Sequence, residues 1–411
     1  MTGLNIVAGL DVGTTKVCAV VAELNDDGLN ILGVGRSNSS GVRKGIIVNM
    51  DATVDSIKKA VKEAESFSGT RIRSVFSGIS GGHISGFESF GSIGIGGEEV
   101  DCVDVERAIE SAKAVYVPLD REVLHVIPVE FVLDGREGII DPIGMAGARL
   151  GARVNIITGA VVPVKNLVEC CAKSDLDVAG VILKPLASAY STLTPDEKKT
   201  GVVLIDIGGG TTDIVLFRDS RPRHVSVLGV GGAHITNDIA VGLGVETHEA
   251  ERLKQASGAA VMGIIEDGQA EVRMTQYGGR GISLPVRHLL EIIQPRCEEI
   301  LQMIKAEIRA WFGPDRVAYG IVLTGGTSLL GGFDKMAESV LGLPVRVGMP
   351  LNTNGMRVAV DSPVYSSCVG FLNYIDEQDF NGSSSPEIIG GAFGRMKDWV
   401  KDYSDRFFRF K

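Results

Sequence analysis

Two short stretches carry the residues best suited to chemistry. The first is Asp11-Val12-Gly13-Thr14-Thr15-Lys16 and the second Asp206-Ile207-Gly208-Gly209-Gly210-Thr211-Thr212-Asp213. Each lies between two apolar runs. Glycine lets backbone N–H groups turn inward and approach an anion closely, and threonine hydroxyls add donors, so each loop predicts a phosphate-binding concavity. The carboxylate heading each loop does not suit phosphate directly. It suits a hydrated Mg2+ bridging phosphate oxygens, because Mg2+ keeps most of its waters, and Asp11 and Asp206 are therefore expected to face the metal. A third turn, Gly325-Gly326-Thr327, ends the run GIVLT, where backbone can pass close to a flat nucleotide ring. An ordinary glycine turn would explain any one of the three. Their order, with almost two hundred residues between the first two, points to one nucleotide site.

The elements around these loops fall into a repeated order. Residues 4–36 alternate apolar runs with turns, which predicts three strands in a meander. Asp51 is expected to cap a helix on which Val54, Ile57, Val61 and Ala64 keep helical spacing, and a strand follows near 71–79. From 84 to 157 the texture changes: a Gly-rich opening, a helix near 103–114 and a strand pair in VLHVIPVEFVLDG predict a small α+β insertion. A helix over 164–172, a strand over 178–183 and a helix at LKPLASAY come next. The strand–turn–strand pattern then recurs from 201, implying two similar halves around a cleft. Residues 245–312 read as mostly helical, with a polar break at EDGQAEVRMTQYGGRG.

Composition narrows the class. The chain has 411 residues, 44% hydrophobic and 22% charged, which excludes a wholly disordered chain and suggests two or three domains. A net charge of −10 argues against a general nucleic-acid binder, which needs a Lys/Arg surplus. Six cysteines without a CxxC pair read as reduced core thiols of a cytoplasmic protein. The six histidines show no metal-ligand spacing. No secretion signal is evident, and no apolar run is long enough to span a bilayer.

The C-terminal end departs from this balance. Residues 380–388 read as a flexible linker, and 389–411 as an amphipathic helix. Phe393, Met396, Val400, Tyr403, Phe407 and Phe410 form one apolar stripe, which Trp399 and Phe408 widen. Six Lys/Arg against three Asp give this segment about +3, leaving −13 for the remainder. A basic, aromatic-rich helix of this kind suits an anionic membrane surface; packing on its own domain or docking on a partner are the alternatives.

The three turns resemble the two phosphate motifs and the adenosine motif of the actin-like ATPases, a group that includes actin, DnaK-type chaperones and sugar kinases. The resemblance implies an α/β fold of two ribonuclease-H-like halves. It also implies that Gly13, Thr14, Thr15 and Gly208, Gly209, Gly210 and Thr211 hold phosphates, and that Gly325, Gly326 and Thr327 lie at the nucleoside. Glu251 and Lys254 match the helix that touches the nucleoside, although a solvated helix face would account for them equally. Lys16 stands where the chaperones have Asn, and either phosphate or Asp11 could be its partner. Asp206, Thr211 and Asp213 are candidates to orient water. No His or Glu stands out as a base, so slow ATP turnover is expected, with ATP mainly a conformational ligand.

Over nearly the whole chain the sequence resembles the FtsA family, the bacterial cell-division branch of this group. The specific segments are VLHVIPVEFVLDGREGIIDPIG in the insertion, LASAYSTLTPDEKKTGVVLIDIGGGTTDI and the C-terminal stripe. The resemblance implies one core half from 1–83, 158–200 and helix 364–379, an insertion over 84–157, a second half from 201–242 and 319–363, and a helical subdomain over 243–318. It further implies ATP and Mg2+ as ligands, head-to-tail filaments, and attachment to the cytoplasmic face of the inner membrane at the division site. The tail of the tubulin-like protein FtsZ would dock on the helical subdomain, and later division proteins on the insertion. A soluble ATP-dependent small-molecule kinase of the same superfamily is the competing expectation.

Overall fold

The computed structural model describes residues 6–25, 28–264, 270–311 and 319–380. Phe380, expected to open the linker, ends the helix Ser366–Phe380; the rest of the linker and the apolar stripe from Phe393 to Phe410 lie outside the described residues.

Two sheets carry the molecule, and each is built on the same plan. In the first, strands Ile6–Val12, Lys16–Asn25 and Gly28–Asn38 form an antiparallel meander, and Ser74–Ile79 and Asp177–Leu183 extend it in parallel from the first strand. In the second, Val202–Ile207, Thr212–Arg218 and Arg221–Leu228 form the meander, with Gly320–Thr324 and Val345–Val347 added in parallel. The two hairpins turn identically: the Gly13 N–H donates to the Lys16 carbonyl at 2.9 Å, and the Gly208 N–H to the Thr211 carbonyl at 2.9 Å. Both central strands are buried along almost their whole length, as expected for strands covered on both faces. The sequence expectation of two copies of one unit is met.

Helices cover these faces. Met50–Ser68 buries Val54, Ile57, Val61 and Ala64 against the first sheet. Its cap is Asn49, whose side chain accepts from the Ala52 N–H, whereas Asp51 sits inside the first turn. The long helix Val286–Trp311 buries Leu289, Ile293, Ile300 and Ile304 against the second half. The polar break before it is a small hairpin, Glu271–Thr275 with Gly281–Pro285. Cys102 is exposed, contrary to the expectation that every thiol is core; the remaining five cysteines are buried, and all six are free.

The insertion is a four-stranded antiparallel sheet with the helix Cys102–Lys113 against it. The anticipated strand pair is instead one strand, Arg121–Leu133, whose register against Arg149–Ala160 slips at Val129, beside Pro128. Proline has no N–H to give the ladder, and the bulge accommodates it. Arg121 staples the neck where the chain enters and leaves, donating to the His83 carbonyl at 2.9 Å and to the Thr158 hydroxyl at 2.9 Å. The sheet then leans on the second half: Arg223 donates to the Val129 carbonyl at 2.6 Å and Asn155 to the Arg223 carbonyl at 3.1 Å.

Two helices join the halves. Lys184–Thr192 leads from the first sheet into the second, and Ser366–Phe380 leads back. They cross so closely that a Cβ at Gly370 would lie 1.9 Å from the Ala187 carbonyl oxygen. Small residues at the crossing permit hydrogen bonds between the backbones and hydroxyls of the two, as where the Ser191 hydroxyl donates to the Ser366 carbonyl at 2.7 Å.

Candidate nucleotide site

The two glycine hairpins meet face to face. A Cβ at Gly209 would lie 2.3 Å from the Thr15 methyl, and one at Gly210 would lie 2.4 Å from the Thr14 hydroxyl. Thr14 also accepts from the Gly45 N–H at 3.2 Å, so its side chain is held at the junction. Only glycine leaves the backbone amides of the second loop open to the first.

Behind the hairpins lie three buried carboxylates. Asp11 pairs across its hairpin with Cys18, and Asp206 pairs across the other with Asp213. Burial would push the Asp11 carboxyl up, but the ammonium groups of Lys184, 2.7 Å from Oδ1, and Lys16, 3.3 Å from Oδ2, hold it at about 2. Lys16 thus takes Asp11 as partner, and its own pKa rises: burial opposes the charge, and Asp11 outweighs it. The Lys16 ammonium also lies 5.6 Å from the centre of the Tyr365 ring.

Asp206 is held differently. Its Oδ2 accepts from the Ser188 hydroxyl at 2.6 Å and from Ser367 at 3.0 Å, one serine from each linking helix. Burial nonetheless raises its pKa, the two hydroxyls acting against the shift. Asp213 accepts from the Ser80 hydroxyl, yet burial and then the Asp206 charge push its carboxyl up to about 8. Two facing carboxylates with no cation between them resist ionising together.

The residues expected at the nucleoside reach the same loop from the other flank. The Thr327 hydroxyl donates to the Gly208 carbonyl at 3.1 Å. Lys254 donates to the Gly232 carbonyl at 3.2 Å and pairs with Glu251 at 2.7 Å. Gly232 in turn donates its N–H to the Gly208 carbonyl at 2.9 Å, which seats the helix Gly232–Leu243 on the loop. Gly325 takes φ +84°, and a Cβ there would lie 2.3 Å from Asp206 Oδ1. Thr211 closes its turn through its carbonyl, and Gly326 follows Gly325 in the turn.

All the expected site residues from Asp11 to Thr327 are thereby gathered around one junction. Sequence reasoning passed over Lys184, Ser188, Ser367 and Ser80. The first two stand in LKPLASAY, where a lysine at the mouth of a buried helix was the available signal.

These residues suit a nucleotide with hydrated Mg2+. Such an ion takes one or two carboxylates and completes its shell with water and phosphate oxygens. Asp206 with Asp213 would supply that, and a cation there would act against the burial and the neighbouring charge that raise the Asp213 carboxyl. Asp11, assigned to the metal from sequence, has an ammonium beside each oxygen: Lys16 donates to Oδ2, whereas Oδ1 is ion-paired with Lys184 and accepts no hydrogen bond. Among the described residues no cluster of three or more acidic, His or Cys side chains is arranged to hold a metal ion. A cavity of about 680 Å3 lies elsewhere, between the insertion and the second sheet, lined by Phe87, Asn155, Arg223 and Trp311.

Two half-sheets of one topology, joined by crossing helices, with glycine hairpins meeting across the junction, define an actin-like ATPase fold. Solved structures agree: a PilM-PilN type IV pilus biogenesis complex matches with TM-score 0.66 at 17% identity, over 90% of this chain and 98% of the other. MreB5 of Spiroplasma citri bound to ADP matches with TM-score 0.54 at 14% identity, over 92% and 99%. The family model "Cell division protein FtsA" matches residues 203–370, and that for the "SHS2 domain inserted in FTSA" matches 81–158. FtsA of Pseudomonas aeruginosa is 40% identical over 407 residues, covering 96% of this chain and 97% of its own. FtsA of Escherichia coli is 37% identical over 414 residues, covering 97% and 98%. The chain belongs to the FtsA family of actin-like cell division proteins. The small-molecule kinase expectation is not favoured by these relatives. Among the described residues no helix is long and apolar enough to cross a membrane.

Proposed function

We infer that this chain is an ATP-loaded adaptor that polymerises and ties the FtsZ ring to the cytoplasmic membrane. The observation that carries the reading is the apposition of Thr14 and Thr15 on Gly209 and Gly210 above the buried pair Asp206 and Asp213. Donors from both halves converge there, so a triphosphate bound between the loops would set the angle between the halves. Gly13, Thr14 and Thr15 would hold phosphate from one side and Gly208, Gly209, Gly210 and Thr211 from the other. Thr327, Gly325 and Gly326 would border the nucleoside, with Glu251 and Lys254 beside it. Bound Mg2+ would supply charge neutralisation at the phosphates.

Turnover would be slow. Asp213 is buried and restrained by the Ser80 hydroxyl. Asp206 is restrained by Ser188 and Ser367, and Thr211 contributes backbone geometry. The nucleotide then acts as a wedge whose presence fixes the surfaces that stack head to tail. A head-to-tail contact that does not close gives open filaments.

The stripe of Phe393, Met396, Trp399, Val400, Tyr403, Phe407, Phe408 and Phe410 would lie in the membrane interface, its lysines and arginines against anionic headgroups. One such helix binds weakly. Several on one filament gain by effective concentration, so assembly would control residence on the inner membrane at the division site. The helical subdomain over 243–318 would receive the FtsZ tail, and the insertion over 84–157 later division proteins. The test is co-sedimentation with anionic vesicles of the whole chain and of a chain ending at Phe380, each with and without Mg-ATP. The whole chain should pellet, more with ATP, and the shortened chain should stay in solution; equal pelleting of the two removes the membrane role.

A further inference from the structure

Lys184 is a buried cation that the reading above leaves without a task. Its side chain is 10% exposed, and its ammonium lies 2.7 Å from Asp11 Oδ1 and donates to the Val12 carbonyl at 2.9 Å. A lysine is almost never buried without compensating charge and hydrogen bonds, and these two contacts supply both. It opens the helix Lys184–Thr192, and one turn later the same helix presents Ser188 to Asp206. One rigid helix therefore grips the aspartate behind each hairpin, Asp11 in the first half and Asp206 in the second.

The geometry points to Lys184 as a cation built into the nucleotide site, a positioning residue that neutralises Asp11 from within the chain so that phosphate binding depends only weakly on divalent metal. This rests on the nucleotide reading of the same site. Three buried carboxylates stand behind the phosphate loops, and any that is ionised repels an incoming triphosphate. With Lys184 in place Asp11 exerts little of that repulsion, and its second oxygen is met by Lys16 at 3.3 Å. Two lysines on one carboxylate leave a positive charge in excess, which offsets one charge of the Asp206 and Asp213 pair. With Lys184 removed, Asp11 and Lys16 form a neutral pair, and the unit of positive charge lost from the site must come from external Mg2+. A unit charge acting over about 6 Å in a partly buried site changes affinity by on the order of a hundredfold.

Titration of the full chain with a fluorescent ATP analogue, in excess Mg2+ and again in excess EDTA, tests this. In the unsubstituted protein EDTA should weaken binding by less than about tenfold. In Lys184→Met the loss on adding EDTA should be on the order of a hundredfold, and Lys184→Arg should restore the smaller loss. A purely structural lysine would lower affinity alike in both media, and that result overturns the inference. If Lys184→Met does not fold, as judged by near-UV circular dichroism, the unsubstituted protein decides alone: a hundredfold loss in EDTA overturns the inference. Absence of binding even with Mg2+ would instead sink the nucleotide reading, and this inference with it.

Discussion

Cys18 occupies in the first half the register position that Asp213 holds in the second. Each faces the aspartate that heads its hairpin, Cys18 opposite Asp11 and Asp213 opposite Asp206. The two halves share a backbone plan but not a charge plan. The first half settles its aspartate with lysines, and the second leaves two carboxylates facing each other.

That asymmetry makes stability depend on pH. The folded Asp213 carboxyl sits at about 8 against an ordinary value of 3.8, so the folded state holds a proton that the unfolded chain releases. Stability should therefore fall as pH rises from about 4 to about 8. Asp213→Asn removes the proton to be lost. It should be more stable than the parent at neutral pH and flatten the decline, by up to about 3 kcal/mol between pH 5 and 7. Thermal unfolding without nucleotide across that range measures it; parallel curves for the two proteins would contradict the assignment.

His125 works in the opposite direction. It is buried beside the edge of Tyr374, and burial holds its imidazole at about 4 against 6.5. A lowered folded value means that the stabilisation is present above pH 6.5 and lost as pH falls toward 4. Near pH 5 the loss amounts to about 2 kcal/mol. His125→Phe keeps the edge contact and should unfold at a higher temperature than the parent at pH 5, with little difference at pH 7.5. Equal acid sensitivity in the two would count against it.

Gly370 is a packing requirement rather than a helix preference. Alanine would favour the isolated helix by about 0.5–1 kcal/mol, but its Cβ would lie 1.9 Å from the Ala187 carbonyl oxygen. Overpacking of this kind typically costs about 1–3 kcal/mol. Gly370→Ala should lose stability in urea and weaken nucleotide binding, because the crossing it opens also carries Ser188 and Ser367. A variant with unchanged binding and raised stability would show that the crossing is looser than described.

Ser188→Ala deletes a hydroxyl donated to a buried carboxylate at 2.6 Å. Hydrogen bonds to charged groups contribute about 1.5–3 kcal/mol, and Ser367 remains as a second donor, so a loss near the lower figure is expected. A double-mutant cycle with Ser367→Ala should show coupling, since both serve one oxygen. Simple additivity would mean that they act independently.

The hairpins, the repeated half and the insertion were legible because each is written locally. Gly-Thr clusters interrupt apolar runs at Asp11 and Asp206, and the alternation before and after them has the period of strands. What escaped is set by distant contacts. Lys184 and Ser188 read only as the start of a helix, and their role arises because that helix crosses behind both loops. Asn49 rather than Asp51 caps its helix because the cap belongs to whichever side chain meets the free N–H of Ala52. The strand pair expected in the insertion is a single strand because a bulge at Val129, beside Pro128, lets it continue to Leu133. The role of the C-terminal stripe rests on its sequence, since those residues lie outside the described ones.

The central claim is that one nucleotide is gripped by both glycine hairpins at once. Backbone amide exchange, followed peptide by peptide as Mg-ATP is added, tests it most directly. The peptides containing Gly13–Lys16 and Gly208–Thr211 should slow together, with one midpoint. Protection confined to one hairpin, or arising at neither, would contradict it.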